Sequence, residues 1–353
     1  MNSAASAQPP THQAPPAPSA PAAQAIPPGP ASGGPDARAP RRLLVLGGTG
    51  FVGRSFCEQW LRRFPGGSTL VVPTRRLSHG QSIRHLPGVE LTQADVHDGA
   101  ALQRLLRGCD AVVNLIAILQ GTEAAFDRTH RQLPATLAHA CTQAGVRRVL
   151  HISALGVDPA APSTYLRSKA AGEAALRAAG LDLTVLRPSV IFGAQDRFLN
   201  TFASLQRLAP IVPLAGADAR FQPVWVEDVA RAMVRVLVEP APAMIECAGP
   251  DVWTLAELVR LAGRLSGHAR PIIPLPPALA TLQALAMELA PGEPLMSRDN
   301  LASMQVPNIA TGTLAGLRDI GIEPAALMAV APTYLAPGQG CARLDALRAR
   351  ARR

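Results

Sequence analysis

The chain has 353 residues, 48% of them hydrophobic, which is enough for one large domain or two smaller ones. The net charge is +9, but most of the excess lies in residues 1–42 and 341–353, and aromatic residues make up only 4%. Nucleic-acid-binding proteins usually carry their charge as a patch on the fold, so the composition argues against a nucleic-acid partner. No apolar run approaches the roughly 20 residues that a membrane span needs.

The two ends of the chain are predicted to lie outside the folded core. Residues 1–40 consist mainly of Pro, Ala, Ser, Gln and Gly. Such a segment cannot bury enough apolar surface to offset its ordering entropy, so we predict disorder. Residues 336–353 form a basic tail. A solvated helical end and a contact with an anionic membrane or an acidic partner both remain open for this tail.

The five cysteines are far apart in the sequence and form neither a metal-binding spacing nor a disulfide framework. We therefore predict buried thiols in a reducing compartment, and no metal site. The predicted location is cytoplasmic, with a peripheral position on the inner face of the plasma membrane as the alternative. The sequence does not indicate an oligomeric state.

From residue 43 onward, apolar runs alternate with helical segments. This alternation predicts an α/β fold of the Rossmann type, a doubly wound parallel sheet with helices on both faces. The predicted strands are 43–48, 68–76, 89–96, 110–118, 147–155 and 182–193, and the helices between them are 51–63, 98–108, 133–145 and 163–180.

After about residue 195 this alternation loosens. A strand end leads into a helix at 224–240, a second helix is predicted at 254–267, and a short apolar helix bracketed by prolines at 276–292. We therefore predict a dinucleotide-binding core over residues 41–195. A smaller C-terminal substrate lobe over 196–335 follows it, with elements that return to the core.

The first predicted strand runs into a glycine loop, "GGTGFVGR", with Gly47, Gly50 and Gly53 at three-residue spacing. The first glycine allows a tight turn, the second lets the backbone approach a pyrophosphate, and the third lets helix and strand pack closely. We predict dinucleotide binding here, with contacts from the loop and the helix start, namely Gly47, Thr49, Gly50, Phe51, Val52 and Gly53. The alternative is a glycine-rich turn without a ligand.

The ends of the second and third strands indicate which dinucleotide is bound. An NAD site usually has an acidic residue at the end of the second strand, where this chain has Arg75 and Arg76. Because arginine suits a 2′-phosphate, we predict NADP(H), with NAD(H) as the alternative. The alternative that both arginines are solvated loop residues is also open. Asp95, followed by Val96, is predicted to meet the adenine, with helix capping as the alternative for Asp95.

Lys169 is the only lysine in the chain, and it follows Tyr165 by four residues. The two therefore share a helix face. An ammonium beside the phenol lowers the pKa of tyrosine and can also hold ribose hydroxyls, a role for which arginine is a poor substitute. The alternative is a surface ion pair between Lys169 and Glu173.

The glycine loop, the Tyr-x-x-x-Lys pair, "RPSVIFG" and "FQPVWVEDVA" together resemble the short-chain dehydrogenase/reductase superfamily, in its extended, epimerase-like branch. "ADVHD" and "ECAGPDVWTLAELV" further resemble the NADPH-binding accessory subunit of respiratory complex I and its bacterial relatives. The broader resemblance covers roughly residues 42–240 and the narrower one extends to about 330.

The superfamily resemblance implies roles for particular residues. Tyr165 would be the general acid/base, with Lys169 beside it, and Pro188 of "RPSVIFG" would contact the cofactor. The third catalytic residue of the family is a hydroxyl, but its position here is Ala154, so Ser153 is the remaining candidate. Asn114 would lie near the nicotinamide. The equal alternative is that its side-chain amide only satisfies backbone groups at the end of the strand.

Two functions follow from these residues. The first is a protein that holds NADP(H) and associates with a respiratory or quinone-linked membrane complex. The alternative is an active NADPH-dependent reductase, or a sugar-nucleotide epimerase or dehydratase, that uses Tyr165 and Lys169. A nucleic-acid sensor on the same fold is disfavoured because residues 43–340 lack a basic face.

Overall fold

The apolar runs of the first half form parallel strands of one sheet in the computed structural model, which describes residues 39–290, 292 and 294–337. The predicted disordered segment and basic tail therefore lie almost wholly outside the described residues. The first six strands are β1 (Arg42–Leu46), β2 (Thr69–Thr74), β3 (Val89–Gln93), β4 (Ala111–Asn114), β5 (Arg148–Ile152) and β6 (Asp182–Pro188).

The helices between these strands follow the predicted segments closely, apart from one addition after β4. A short helix and a π-helical segment, Asp127–Gln132, precede the predicted helix at 133. Thr122 begins the short helix by accepting a hydrogen bond from the amide of Ala125. The helices of this half are α1 (Phe51–Arg63), α2 (Gly99–Leu106), α3 (Glu123–Phe126), α4 (Leu133–Ala144) and α5 (Thr164–Ala178), with a 3₁₀ turn at Leu77–Gly80.

The second half adds two strands to the same sheet and several two-residue or three-residue strands outside it. All strands of this half, of which β11 and β14 join the sheet, are β7 (Ile191–Phe192), β8 (Val212–Leu214), β9 (Arg220–Phe221), β10 (Val224–Trp225), β11 (Met244–Cys247), β12 (Trp253–Thr254), β13 (Ile272–Pro274) and β14 (Ala315–Gly316). The helices are α6 (Leu199–Leu208), α7 (Val226–Val238), α8 (Leu255–Ser266), α9 (Pro277–Leu289), α10 (Arg298–Ser303), α11 (Leu327–Val330) and α12 (Pro332–Leu335), with a 3₁₀ turn at Arg318–Ile320.

The central sheet has eight strands in the order β14-β11-β6-β5-β4-β1-β2-β3. All of its neighbouring strands pair in parallel. The order runs outward from β1 in both directions, so the crossovers lie on both faces of the sheet. This arrangement confirms the predicted Rossmann-type fold. The carboxyl ends of the strands, where ligands bind in such sheets, form one edge.

Side chains of β1 alternate between two cores, one on each face of the sheet. Leu43 packs with residues of α1 and α7, including Trp60 and Met233. Leu44 packs on the opposite face with α2 and α4, including Leu102. Full burial of such a side chain contributes roughly 1.5–3 kcal/mol. Both faces are therefore covered, as the near-continuous apolar strands predict.

The segment after residue 195 contributes both to this sheet and to a separate apolar cluster. β11 pairs with β6, and α7 packs against α1. In contrast, α6, α8 and α12 bury their apolar residues against each other, as Leu199, Leu258 and Leu335 show. We retain residue 195 as a proposed boundary between core and lobe, with residues 226–247 as the part that returns to the core.

Candidate functional site

The glycine loop joins β1 to α1 at the carboxyl edge of the sheet. Gly47 has a φ of 80°, a left-handed conformation that favours glycine. The amide of Gly50 donates to the carbonyl of Gly47 at 2.9 Å. A Cβ at Gly53 would lie 2.4 Å from the oxygen of Gly47, so helix and loop touch backbone to backbone. The three glycines thus occupy positions where a side chain would open the turn.

The start of α1 is suited to an anionic ligand. The first amides of a helix have no intrahelical partner, and they lie at the positive end of the helix dipole. Gly50 provides no capping side chain, and the first turn contains no acidic residue. Thr49, Phe51 and Val52 surround this start and remain partly exposed. The loop and helix start can therefore bind a diphosphate, as predicted for Rossmann folds.

Arg75 and Arg76 follow β2 directly and are exposed. Their carbonyl groups are held by the side chains of Gln93, at 3.4 Å, and Thr74, at 3.0 Å. Within the described part of the chain their guanidinium groups form no hydrogen bond. The backbone of this loop is thus fixed while both charged groups are available to a ligand. The role of these arginines in cofactor selection remains a prediction.

Asp95 and Val96 follow β3, where they were expected to meet the adenine. Asp95 is exposed and accepts from the amide of His97 at 3.0 Å. Val96 is buried among the residues that pack under α2. The alternative helix-capping role of Asp95 is wrong, because Asp98 caps α2 by accepting from Ala100 at 2.9 Å.

Lys169 is buried in the middle of α5, and its Nζ donates to the carbonyl of Ile152 at 2.7 Å. Burial lowers the pKa of Lys169 to about 8, although the charge of Glu173 opposes this shift. The alternative of a surface Lys169–Glu173 pair is wrong. Glu173 is buried and binds Arg187 at 2.7 and 2.9 Å and Arg177 at 2.7 Å.

Tyr165 lies one turn before Lys169 and remains partly exposed. Its ring packs edge-on against His130, with centroids 5.5 Å apart, and against Phe126 at 6.1 Å. Its hydroxyl makes no hydrogen bond to any residue that the structure describes. Burial raises the pKa of Tyr165 to about 12. The predicted lowering by Lys169 is therefore wrong in direction, because that ammonium is directed to a backbone carbonyl.

His130 belongs to the site but was not identified from the sequence. Its Nε2 accepts from the amide of Ile118 at 3.1 Å, and its Nδ1 lies 2.9 Å from the hydroxyl of Ser168. Because that hydroxyl donates to the carbonyl of Tyr165 at 2.8 Å, Nδ1 carries the proton. Burial lowers the pKa of His130 to about 3, so the ring is neutral. A lone histidine gives no sequence signal for such a role.

Ser153 and Ala154 follow β5, where the family has its catalytic hydroxyl. The hydroxyl of Ser153 is buried without a hydrogen-bond partner among the described residues. It nevertheless lies close enough to Glu173 to help lower the pKa of that carboxyl. We therefore place it beside the carboxylate but outside ordinary hydrogen-bond geometry. Ala154 packs in one cluster with Tyr165 and Val306, so a methyl group occupies the position of the missing hydroxyl.

Asn114, at the end of β4, has both ends of its amide occupied within the protein. Its Oδ1 accepts from Ile116 at 3.2 Å, and its Nδ2 lies 3.2 Å from Nδ1 of His151. The structure thus gives Asn114 the strand-end role weighed above, and its cofactor contact remains a prediction. The carbonyl of Pro188 accepts from Leu155 at 3.0 Å, which fixes the loop after β5.

Two further kinds of site, a metal centre and a membrane-spanning helix, are absent from the described ranges. No group of three or more His, Cys, Asp or Glu residues there could hold a metal ion. Helices in the same ranges are too short or too polar to cross a membrane. The four cysteines that the structure describes are buried free thiols.

Comparisons with known proteins agree with this geometry. The profile of the NAD dependent epimerase/dehydratase family matches residues 43–247. The chain is 30% identical to the mouse (Mus musculus) mitochondrial NADH dehydrogenase [ubiquinone] 1 alpha subcomplex subunit 9, over 80% of this chain and 76% of that one.

Two solved structures share the fold. A dTDP-glucose 4,6-dehydratase from Streptomyces venezuelae, with NAD and TYD bound, matches with a TM-score of 0.65 and 22% identity, over 83% of this chain and 95% of that one. An NADPH-dependent quinone oxidoreductase from Escherichia coli, with NADPH bound, matches with a TM-score of 0.66 and 21% identity, over 83% and 99%.

Proposed function

Because the chain belongs to the NAD dependent epimerase/dehydratase family, we propose that it binds a nicotinamide dinucleotide and retains it as a ligand without rapid turnover. The amides at the start of α1, from Phe51 to Gly53, would hold the diphosphate, and Lys169 would hold the nicotinamide ribose. When bound, the dinucleotide would supply a hydride donor or acceptor. The buried Nε2 of His151 has no hydrogen-bond partner among the described residues, which supports a further polar group near Lys169.

The arrangement around Tyr165 carries this proposal. A phenol whose pKa is raised to about 12 is a weak proton donor near neutral pH. Ala154 offers no hydroxyl to polarise a carbonyl, and the loss of one such donor typically costs about 10²–10³ in rate. The dinucleotide site retains the family's features while the proton-transfer site lacks one of them. Retention of the cofactor is the function that these residues support best.

The preferred dinucleotide in this proposal is NADP(H). Arg75 and Arg76 follow β2 and are exposed. They would be within reach of a ribose 2′-phosphate bound at the carboxyl edge of the sheet. Charge-assisted, bidentate bonds from arginine suit such a phosphate. Similarity to a mitochondrial NADH dehydrogenase subunit further supports association with a respiratory complex. A position at the inner face of the plasma membrane is part of our proposal.

The test is to denature the purified protein and identify the nucleotide that it releases. We expect about one equivalent of NADP(H) per chain that exchanges slowly. The Arg75→Ala, Arg76→Ala double variant should bind NADP(H) roughly 10-fold to 100-fold more weakly, because it loses charge-assisted bonds. Arg84→Ala, which removes another exposed arginine, is the matched control. Recovery of NAD(H) would contradict the proposed preference.

A second function is favoured by the intact Tyr165–Lys169 pair on α5. In this function the chain is an NADPH-dependent reductase, or an epimerase or dehydratase of sugar nucleotides. A reductase would oxidise bound NADPH when carbonyl compounds are added, which stopped-flow absorbance measures. An epimerase or dehydratase would convert a sugar nucleotide with no net change in the bound nucleotide, which product analysis measures. Tyr165→Phe should abolish either reaction while nucleotide binding persists. An unchanged rate in this variant would exclude the second function.

A further inference from the structure

Helix α9 packs with its alanines inward and leaves its leucines exposed. The residues that it buries are Ala280 and Ala284, whereas Leu282 is 61% exposed and Leu289 is 79% exposed. A helix that is apolar on all sides is normally buried on all sides. One face of α9 is therefore apolar and uncovered by the residues that the structure describes.

Exposed apolar residues at two neighbouring strands lie beside α9. Ile211 directly precedes β8, and Ile273 of β13 pairs with Pro213 of β8. The side chain of Gln283 donates to the carbonyl of Pro213 at 3.2 Å, which fixes α9 beside β8. We call the combined surface the leucine patch; its exposed residues are Leu208, Ile211, Ile273, Leu279, Leu282 and Leu289.

The leucine patch contains more exposed apolar side chains than scattered surface residues would give. Its six residues are nearly half of the large apolar side chains that are exposed in the described part of the chain. Single exposed leucines need no explanation, but contiguous apolar patches mark sites of interaction. None of its six residues is among those assigned to the dinucleotide site.

Positive charge borders the leucine patch. Arg207 precedes Leu208, and Arg270 precedes β13; both are exposed. The side chain of Arg270 donates to the carbonyl of Gln206 at 3.0 Å, which holds it at this border. Helix α9 carries one carboxylate, Glu288, which Arg298 binds at 2.9 Å. Among the described residues that border the patch, the charge without an ion-pair partner is therefore cationic.

Further positive charge follows in the chain. Residues 338–353, outside the described part, contain five arginines and one aspartate. They continue from α12, whose Leu335 packs with Leu199 of α6 and Leu258 of α8. The arginine-rich end thus leaves the same lobe that carries the leucine patch.

We propose that the leucine patch docks the protein on the surface of an anionic lipid membrane. The leucines would enter the interface between headgroups and acyl chains, while Arg207 and Arg270 meet lipid phosphates. A second copy of this chain is a poorer occupant, because a two-fold contact would bring the same cationic borders together. The helix would lie on the membrane, since no described helix can cross one.

The test measures binding of the full, nucleotide-loaded chain to sedimented vesicles. One set contains phosphatidylcholine alone and the other includes roughly one quarter phosphatidylglycerol. We expect at least about tenfold tighter binding to the anionic set. Leu282→Glu with Leu289→Glu should weaken that binding about tenfold or more, because two charges replace inserted side chains. Leu314→Glu, at an exposed leucine outside the patch, should leave it unchanged.

Three results would overturn the membrane proposal. The first is equal, weak binding of the unmodified chain to both vesicle sets. The second is full binding by the Leu282→Glu, Leu289→Glu variant. The third is a patch variant that changes molecular mass in light scattering but not vesicle binding, which would assign the patch to a protein contact. Nucleotide content measured on the same samples keeps this test separate from the proposed function.

Discussion

Lys169 is the only lysine of the chain, and it lies buried in α5. Its retention as the sole lysine indicates a role that arginine cannot fill. In the structure the ammonium is buried and donates to the carbonyl of Ile152. Its charge does not lower the pKa of the neighbouring Tyr165 phenol, which burial raises. A compact ammonium fits this buried position, whereas a planar guanidinium would not.

The buried charge of Lys169 predicts a pH dependence of stability. Its pKa falls from its usual 10.5 to about 8, so the folded state binds fewer protons than the unfolded state between these values. The contribution of this group to the free energy of unfolding should therefore rise with pH across this window, by roughly 3 kcal/mol. The buried thiols of Cys57, Cys141 and Cys247, whose pKa is raised, act in the opposite direction at the upper end of the window, so denaturant titrations measure the Lys169 contribution as a difference from a variant without the ammonium.

Lys169→Met is the variant that isolates this effect, since methionine keeps much of the volume without the charge. The difference in unfolding free energy between the variant and the original chain should shrink as pH rises through the window. The chain has no other lysine that titrates there. A constant difference across that pH range would show that the ammonium is not destabilised by burial.

At the scale of elements, the contact between α5 and the π-helical segment decides where Tyr165 lies. Pro134 lacks an amide proton, so it cannot bond to the carbonyl of His130 as a helical residue normally would. Gly172 of α5 fills this space, and a Cβ there would lie 2.0 Å from that carbonyl oxygen. The absence of a side chain at Gly172 therefore sets the distance between the two helices.

Gly172→Ala should destabilise the protein although alanine is the better helix former. The clash is with backbone, which cannot move as a side chain can, so we expect a loss of about 3 kcal/mol. Gly99→Ala is the control, because its Cβ would meet only the side chain of Thr136 at 3.4 Å. Equal midpoints for the two variants in urea unfolding would contradict this account of the helix contact.

Several elements were predictable from local pattern and others were not. Helix α1 spans the predicted residues 51–63, because its apolar residues recur at helical spacing. Strand β11 was missed, because four residues between prolines and glycine carry no clear periodicity. The π-helical segment was missed as well, since its register depends on contacts with α5.

At the scale of the whole molecule, Asp299 links the C-terminal lobe to the helix that carries Tyr165. Its carboxylate accepts from the amides of Thr164 at 2.6 Å and Tyr165 at 3.0 Å. The hydroxyl of Ser163 accepts from the amide of Leu166, three residues later in the same turn. The lobe therefore supplies part of the cap of α5, with a negative charge at the positive end of its dipole.

Asp299→Ala should lower the free energy of unfolding by about 2 kcal/mol, through lost charge-assisted bonds at a helix start. The same variant should release bound nucleotide faster, because α5 carries Lys169. Thermal unfolding and nucleotide exchange measure the two effects. Asp251→Ala, at an exposed position, serves as the control. Unchanged exchange in Asp299→Ala would limit the cap to a purely structural role.

The sequence by itself determined the alternation of strands and helices, the glycine turn and the spacing of Tyr165 and Lys169. These features depend on backbone geometry within a few residues, which a local pattern records. Only the tertiary structure decided that Glu173 pairs with Arg187, that β11 extends the sheet beside β6, and that Asp299 caps α5. These contacts join distant parts of the chain, and their partners depend on how the packed layers bring them together.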